Sequence, residues 1–259
     1  MSRDLLVNVS ENAVARITLN RPDVHNAFDD ALIQDLLKTL QQLEADKTVK
    51  LIHLSAAGKN FSAGADIQWM KRTAAYSHEE NIKDAAHLSD LMRTLKFLNK
   101  PTIAQVQGAA LGGGVGLIAC CDIAIASTDA TFALSEVKIG LIPAVISPYV
   151  IAAMGERTAR RYMLTGEKIN AMDAKNAGFI HEVAAPDALE TATQEIIQTI
   201  LANSPQAVFE TKKLINRVAI NPYDSQHLVE NAKIIADIRV SKEGQEGLTA
   251  FLEKRKPVW

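Results

Sequence analysis

The chain has 259 residues, 47% of them hydrophobic, which is enough for one large domain or for one domain with a small appendage. Its 28 basic and 30 acidic residues give a formal net charge of -2. The length and hydrophobic content argue against disorder, and the charge balance offers no positive surface for nucleic acid or an anionic membrane.

The sequence shows no export signal and no membrane span. Asp4 is followed by an alternating segment, residues 5–9, that is too short for the apolar core of a signal peptide. The longest apolar stretch, residues 109–125, is interrupted by four glycines and an aspartate. Cys120 and Cys121 are adjacent, so they cannot build a disulfide framework and suit a reducing compartment. We therefore expect a soluble, cytoplasmic protein.

The first predicted elements are strands flanking a helix. Residues 6–9 and 14–19 alternate between apolar and polar side chains, which predicts a β-hairpin. Helical spacing of apolar residues begins at Asp30, with Asp29 or Asp30 as the cap, and residues 51–54 form a buried strand.

A weaker version of this order returns further along. Residues 103–106 are predicted as a strand, the segment near 113–120 as an apolar helix and residues 123–125 as another strand. This alternation predicts an α/β fold with helices packed on sheet layers.

The remaining signals are helical. Ser77 has capping-box spacing to Glu80 and precedes a predicted helix over residues 78–98. Strand signals end after Pro186, and four helices are predicted at about 187–202, 205–218, 223–239 and 242–254. We divide the chain into a core, residues 1–195, and a C-terminal helical region, residues 196–259, for which we expect an oligomer contact.

Two short segments are unusually rich in small residues. Residues 61–67 and 110–116 each lie where a strand leads into a helix, and the second contains three successive glycines. Each segment by itself is typical of a tight turn or of close packing. Together, two such junctions provide two backbone N–H donors, the minimum for an oxyanion hole in acyl chemistry.

Motifs for other chemistries are missing. The sequence contains no phosphate loop, dinucleotide fingerprint, nucleophile elbow or zinc-binding helix motif. The six histidines lack metal-ligand spacing. We expect no metal site and no covalent or redox cofactor.

A series of short motifs resembles, in order, the landmarks of the crotonase (enoyl-CoA hydratase/isomerase) superfamily. They cover essentially the whole chain and are residues 20–22 with 26–27, 61–67, 107–114, 121–124, 135–136 with 140–143, 171–174 with 177–178, and 251–255. Each motif is weak alone, but the ordered set is specific.

The resemblance implies a crotonase-like spiral of ββα turns and a C-terminal helical trimerisation region, with trimers that pair into hexamers. It implies an acyl-CoA substrate, whose coenzyme A is part of the substrate and not a separate cofactor. The amides of Ala65 and Gly113 would bind the thioester oxygen, and Glu136 would be the acid/base. The residues expected along the CoA moiety are Val24, His25, Ala63, Asp66, Ile67 and Gln68.

One departure from the family pattern concerns the mechanism. Hydratases of this family commonly have a second carboxylate three residues after the middle glycine, where this chain has Gly116. A single glutamate is typical of enoyl-CoA isomerases. However, residues 135–137 and 142–149 resemble a bacterial branch of hydratases for methylglutaconyl-CoA or related carboxylated substrates.

Three hypotheses follow. The first is an enoyl-CoA hydratase, with a branched or carboxylated substrate such as 3-methylglutaconyl-CoA, and the second is a single-glutamate enoyl-CoA isomerase. The third is a non-catalytic scaffold that binds CoA or RNA, against which Glu136 and the neutral charge balance argue.

Overall fold

The computed structural model describes residues 3–219 and 224–259, which form a mixed α/β fold. In this part of the chain the strands are β1 (Leu5–Val9), β2 (Val14–Leu19), β3 (Leu51–Ala56), β4 (Thr102–Val106), β5 (Ala109–Leu111), β6 (Ile123–Ser127), β7 (Thr131–Ala133), β8 (Lys168–Asn170) and β9 (Glu182–Ala184). The helices are α1 (Asp30–Ala45), α2 (Ile67–Thr73), α3 (His78–Phe97), α4 (Gly113–Cys120), α5 (Ser147–Met154), α6 (Glu156–Thr165), α7 (Ala171–Asn176), α8 (Leu189–Leu201), α9 (Pro205–Val218), α10 (Ser225–Val240) and α11 (Lys242–Leu252). Single 3-10 turns occur at Pro22–Val24 and Glu136–Ile139.

The strands form two sheets. The larger sheet has the order β1-β2-β3-β4-β6-β9, in which only the β1–β2 pair is antiparallel. The smaller sheet has the order β5-β7-β8, with β5 parallel and β8 antiparallel to β7. The carboxyl ends of β3 and β4 lead into the two glycine-containing segments, so this edge of the molecule assembles the site.

Burial explains why these strands read as apolar runs. Almost all of β3 is buried, as expected for a parallel strand covered on both faces. The helix α1 buries Leu32, Leu36 and Leu40, which recur every fourth residue on one face. In α4 every residue after Gly113 is buried, so its first turn is fixed from all sides.

Several local predictions are confirmed. The hairpin pairs Val7 with Ile17, and Asp29 caps α1 by accepting from the amide of Leu32 at 2.8 Å. Ser77 and Glu80 form the predicted capping box. The helix α9 has the predicted bounds.

Other predictions were incomplete. The short strands β5, β7, β8 and β9 and the helices α5 to α7 were not predicted, because three-residue strands and six- to ten-residue helices hold too few residues to show a period. The helix α11 ends at Leu252, two residues earlier than predicted. The predicted start of the helix at residue 223 lies outside the described residues, and the described helix there begins at Ser225.

The helix α8, at the start of the predicted helical region, packs against the larger sheet. Ala192 and Ile197 of α8 are buried in one cluster with Leu51 and Ile103 of the larger sheet. The predicted boundary after residue 195 falls inside α8, and the division of the chain stays a prediction. No helix in the described ranges has the length and apolarity needed to cross a bilayer.

Candidate active site

The loop of residues 61–67 is tied to the triple-glycine segment by backbone hydrogen bonds. The amide of Ser62 donates to the carbonyl of Ala109 at 3.0 Å, and the amide of Leu111 donates to the carbonyl of Ser62 at 2.9 Å. The Ser62 hydroxyl donates to the carbonyl of Asn26 at 2.8 Å. Three segments that are distant in sequence are therefore fixed relative to one another.

The amide of Ala65 is oriented by a second backbone bridge. The amide of Phe28 donates to the carbonyl of Gly64, and the amide of Asp66 donates to the carbonyl of Phe28, both at 2.7 Å. Successive N–H groups of an extended chain point to opposite sides, so the N–H of Ala65 points away from Phe28. Among the described residues it has no hydrogen-bond acceptor.

The amide of Gly113 opens α4. The first N–H groups of a helix have no intrahelical acceptor. Within the described ranges, no other group accepts a hydrogen bond from the amide of Gly113. The preceding residue is held because the amide of Gly112 donates to the carbonyl of Ala133 at 3.0 Å. A Cβ atom on Gly113 would lie 3.1 Å from the ring of Phe28. Phe28 thus contacts both amide-bearing segments, through its backbone at Ala65 and through its ring at Gly113.

The carboxyl group of Glu136 lies against the triple-glycine segment. Glu136 is the first residue of the 3-10 turn Glu136–Ile139. Its Oε1 lies 3.0 Å from the position that a Cβ atom on Gly112 would take. Gly112 has a φ of 48°, which favours glycine. Glycine here therefore provides both the backbone conformation and the space for the carboxyl group.

The environment of Glu136 favours its neutral form. Its Oε2 is buried without a hydrogen-bond partner in the part of the chain that the structure describes. Burial raises the pKa of the carboxyl above its ordinary value, although the residue's own amide opposes this shift. A carboxyl with a raised pKa can both accept and return a proton near neutral pH.

These groups line one cavity of about 500 Å³, a size that suits a small acyl group. Apolar side chains from α2, α3 and residues 139–146 form most of its wall. Asp84 is a second carboxylate in the lining, and its Oδ1 accepts from the indole N–H of Trp69 at 3.0 Å. The described lining contains no lysine or arginine.

The position of the missing second glutamate is filled by hydrocarbon. A Cβ atom on Gly116 would lie 2.3 Å from Cγ2 of Ile146 and 3.1 Å from Cε of Met92. Ile146 is buried and belongs to the cavity wall. A carboxylate at residue 116 would therefore require Ile146 to move.

The structure brings together part of the set expected along CoA. The amide of Ala63 donates to the carbonyl of His25 at 2.9 Å, so the two segments are neighbours. Val24, His25, Ile67 and Gln68 are exposed, whereas Ala63 also lines the cavity. The exposed residues lie outside the cavity lining, and their role stays a prediction.

Asp66 differs from the rest of this set. It is buried, and its carboxylate accepts from the amides of Gln68 at 2.8 Å and Trp69 at 3.3 Å at the start of α2. It also pairs with Arg21 at 3.2 Å. Burial alone would raise the pKa of Asp66, but the two amides and the guanidinium outweigh it and lower the pKa. Its carboxylate is thus occupied within the fold, which leaves only its backbone for a ligand.

Sequence reasoning missed Phe28, Trp69, Asp84 and Ile146 as residues of the site. None of them belongs to a small-residue segment, and they reach the cavity from four separate elements or loops. Asn26 was noted only as part of a motif. Its side chain joins three segments, because it accepts from the amide of Arg21 and donates to the carbonyls of Ala57 and Asn60.

The fold and this pairing of two unpaired amides with a half-buried carboxyl group define a protein of the crotonase class. A family model described as enoyl-CoA hydratase/isomerase matches residues 9–259, and the chain belongs to this family. The crystal structure of an enoyl-CoA hydratase from Shewanella pealeana has a TM-score of 0.95 and 48% identity, covering 99% of this chain and 96% of that one. The short-chain-enoyl-CoA hydratase of Clostridium acetobutylicum is 33% identical over 95% of this chain and 94% of its own length.

The family also includes relatives named for other reactions. The trans-2-decenoyl-[acyl-carrier-protein] isomerase of Streptococcus mutans is 28% identical over 98% of this chain and 97% of its own length. Membership therefore establishes the enoyl-thioester chemistry of the family and leaves hydration and isomerisation as separate questions for this chain.

Proposed function

We propose that this protein is an enoyl-CoA hydratase that adds water across the 2,3 double bond of an acyl-CoA thioester. The observation that carries the proposal is that Ala65, Gly113 and Glu136 line the same cavity, with both amides unpaired among the described residues and one carboxyl oxygen of Glu136, Oε2, buried without a partner there. A non-catalytic scaffold would need no carboxyl group with a buried, unpartnered oxygen in its cavity.

The proposed reaction proceeds through a thioester enolate. The ionised Glu136 removes a proton from water as the water oxygen bonds to Cβ, and the electron pair of the double bond moves toward the thioester oxygen. The amides of Ala65 and Gly113 donate to that oxygen, and one preorganised donor of this kind is worth about 3 kcal/mol. The proton on Glu136 then returns to Cα, which completes the addition.

A specific observation favours isomerisation as the second candidate. Residue 116 is glycine and not the second glutamate of the common hydratase pattern, and Ile146 fills the space beside it. Glu136 by itself suffices to move a proton from Cα to Cγ of a 3-enoyl thioester. Asp84 is the only other carboxylate in the described lining, and it accepts from Trp69.

We propose 3-methylglutaconyl-CoA as the first substrate to examine, on the basis of residues 135–137 and 142–149. Because the described lining contains no lysine or arginine, the second carboxylate of this substrate would remain in water at the mouth of the cavity. An uncharged branched thioester is the direct comparison, since it differs in this charge.

Three further expectations complete the proposal. The CoA moiety extends out of the cavity past Ala63, along Val24, His25 and the start of α2. The chain forms trimers or pairs of trimers through its C-terminal helices, on which Leu228, Val229 and Phe251 are exposed. The protein acts in the cytoplasm.

Turnover in isotopically labelled water separates the candidates. The protein is incubated separately with crotonyl-CoA, an uncharged branched enoyl-CoA, 3-methylglutaconyl-CoA and a 3-enoyl-CoA. The masses of the products are measured by mass spectrometry. A hydratase incorporates solvent oxygen into the product, whereas an isomerase yields a 2-enoyl thioester without it. If none of the thioesters turns over, the proposed function is wrong.

A further inference from the structure

Arg21 lies at the point where the two segments that orient the amide of Ala65 meet. Its Nη1 lies 3.0 Å from Oδ2 of Asp29, and its Nη2 lies 3.2 Å from Oδ2 of Asp66. Nη1 also donates to the carbonyl of Ala27 at 2.7 Å, and Nε lies 3.5 Å from Asp4. One guanidinium thus contacts four residues from three separate stretches of the chain.

Two of these partners directly flank the backbone bridge of the site. Asp29 follows Phe28, and Asp66 follows Ala65, the two residues that the bridge joins. Asp29 caps α1 through the amide of Leu32, and Asp66 caps α2. Arg21 therefore joins the starts of both helices immediately beside the Ala65 amide.

We infer that Arg21 is a positioning residue for the oxyanion site: it fixes the direction of the Ala65 N–H by joining Asp29 to Asp66. This inference rests on the proposed function, since it assigns a purpose to the amide that binds the thioester oxygen. The planar guanidinium suits the task because its N–H groups form a rigid fork that reaches several acceptors at once.

The local charges explain why removal of the Arg21 guanidinium would displace the amide of Ala65. The Arg21 side chain is only 16% exposed, and those of Asp29 and Asp66 are 20% and 12% exposed. Without the guanidinium, two largely buried carboxylates would repel each other across the bridge. A displacement of about 1 Å in a group that orients a reacting atom can cost about 100-fold in rate.

The strand that precedes Arg21 offers a matched control. Arg16 lies on β2 and makes a bidentate pair with Glu190 of α8, at 3.1 and 3.0 Å, with side chains 41% and 47% exposed. This pair joins the larger sheet to α8 and does not contact the cavity lining. Arg16→Gln makes the same substitution and removes an ion pair with one carboxylate, Glu190, without touching the oxyanion site.

Acetoacetyl-CoA provides a direct readout of that site. It ionises to an enolate with strong near-ultraviolet absorbance, and two amide donors at its thioester oxygen lower the pH at which the bound molecule ionises. The wild type, Arg21→Gln, Arg21→Lys and Arg16→Gln are titrated with acetoacetyl-CoA across pH. The kcat and KM of each are measured on the most active thioester of the turnover panel.

We expect Arg21→Gln to lower kcat by at least about 10-fold while KM changes by less than about 3-fold, because the loss falls on the transition state. The enolate fraction of bound acetoacetyl-CoA should fall in parallel. Arg21→Lys should show a smaller loss in both, since an ammonium group retains the charge but not the fork. Arg16→Gln should match the wild type in both readouts.

The outcomes separate the two proposals. If the wild type does not favour the bound enolate, the oxyanion site itself is wrong. If the wild type favours the bound enolate, and Arg21→Gln or Arg21→Lys favours it to the same extent with unchanged kcat, then Arg21 does not position the Ala65 amide. If Arg21→Gln does not fold, Arg21→Lys decides, and loss of enolate in this variant without loss of CoA affinity supports the inference.

Discussion

Ile146 occupies the space that a side chain on Gly116 would need. A Cβ atom added to Gly116 would lie 2.3 Å from Cγ2 and 2.9 Å from Cβ of Ile146. Both residues are buried, Gly116 in α4 and Ile146 just before α5. One of the three glycines of α4 thus packs against a branched side chain from a distant loop, and hydrocarbon takes the place of a second carboxylate.

The first prediction concerns this contact. We expect Gly116→Ala to destabilise the protein by about 1–3 kcal/mol, since an added methyl group in a packed interior forces side chains or backbone to shift. Ile146→Ala in the same chain should recover part of this loss because it opens the space. Denaturant unfolding of the two single variants and the double variant measures the coupling. Purely additive effects would show that the contact with Ile146 does not cause the loss of stability in Gly116→Ala.

The second prediction concerns Glu136. Glu136→Gln should lower turnover by at least about 100-fold, the usual scale for a general acid-base group, and should leave CoA affinity nearly unchanged. Steady-state kinetics and a CoA titration measure the two quantities. Asp84→Asn is the comparison variant for the other carboxylate of the cavity. Near-normal turnover of Glu136→Gln would remove this residue from the mechanism.

The third prediction is the pH dependence of activity. The reaction requires ionised Glu136 to accept the first proton, and burial raises the pKa of this group. The kcat/KM should therefore rise with pH through a value above 4.5, the ordinary carboxyl pKa, and then level off. A pH–rate profile of the wild type measures the midpoint. A profile that stays flat down to the ordinary value would contradict the raised pKa.

The fourth prediction is the pH dependence of stability. Because the pKa of Glu136 is higher in the folded than in the unfolded chain, its contribution to stability is fully present below the unfolded pKa and is lost as pH rises through the folded pKa. Glu136→Gln does not ionise, so its free energy of unfolding relative to wild type should increase over that pH range. Unfolding curves of both proteins at several pH values test this. A difference that stays constant with pH would show that the ionisation does not affect folding.

The fifth prediction isolates the amide of Gly113. Gly113→Pro removes the N–H, and proline is tolerated at the first position of a helix. Gly113→Ala keeps the N–H but adds the same Cβ atom, 3.1 Å from the ring of Phe28. We expect both variants to lose some stability and Gly113→Pro alone to lose about 100-fold or more in kcat, on the scale of one oxyanion donor. Thermal unfolding of both serves as the folding control, and equal kcat losses would assign the effect to packing.

Local features of the sequence were sufficient for many elements of the fold. The hairpin at residues 5–19, the cap at Asp29, the capping box at Ser77 and the bounds of α9 were all predicted, because alternation, helical spacing and capping side chains act within a few residues. The family was also recognisable from ordered short motifs. The weaker predictions concerned short strands and helices, whose few residues show no period.

The sequence by itself determined the α/β class, the family and the two segments that carry the proposed amide donors, since these depend on residue types at short spacing. Only the tertiary structure decided that Phe28 contacts both segments, that Ile146 fills the space beside Gly116 and that Arg21 joins Asp29 to Asp66. These contacts connect residues that are between 8 positions (Arg21 to Asp29) and 85 positions (Phe28 to Gly113) apart in the chain. Their distances are set by how the sheets and helices pack, and no local pattern encodes that packing.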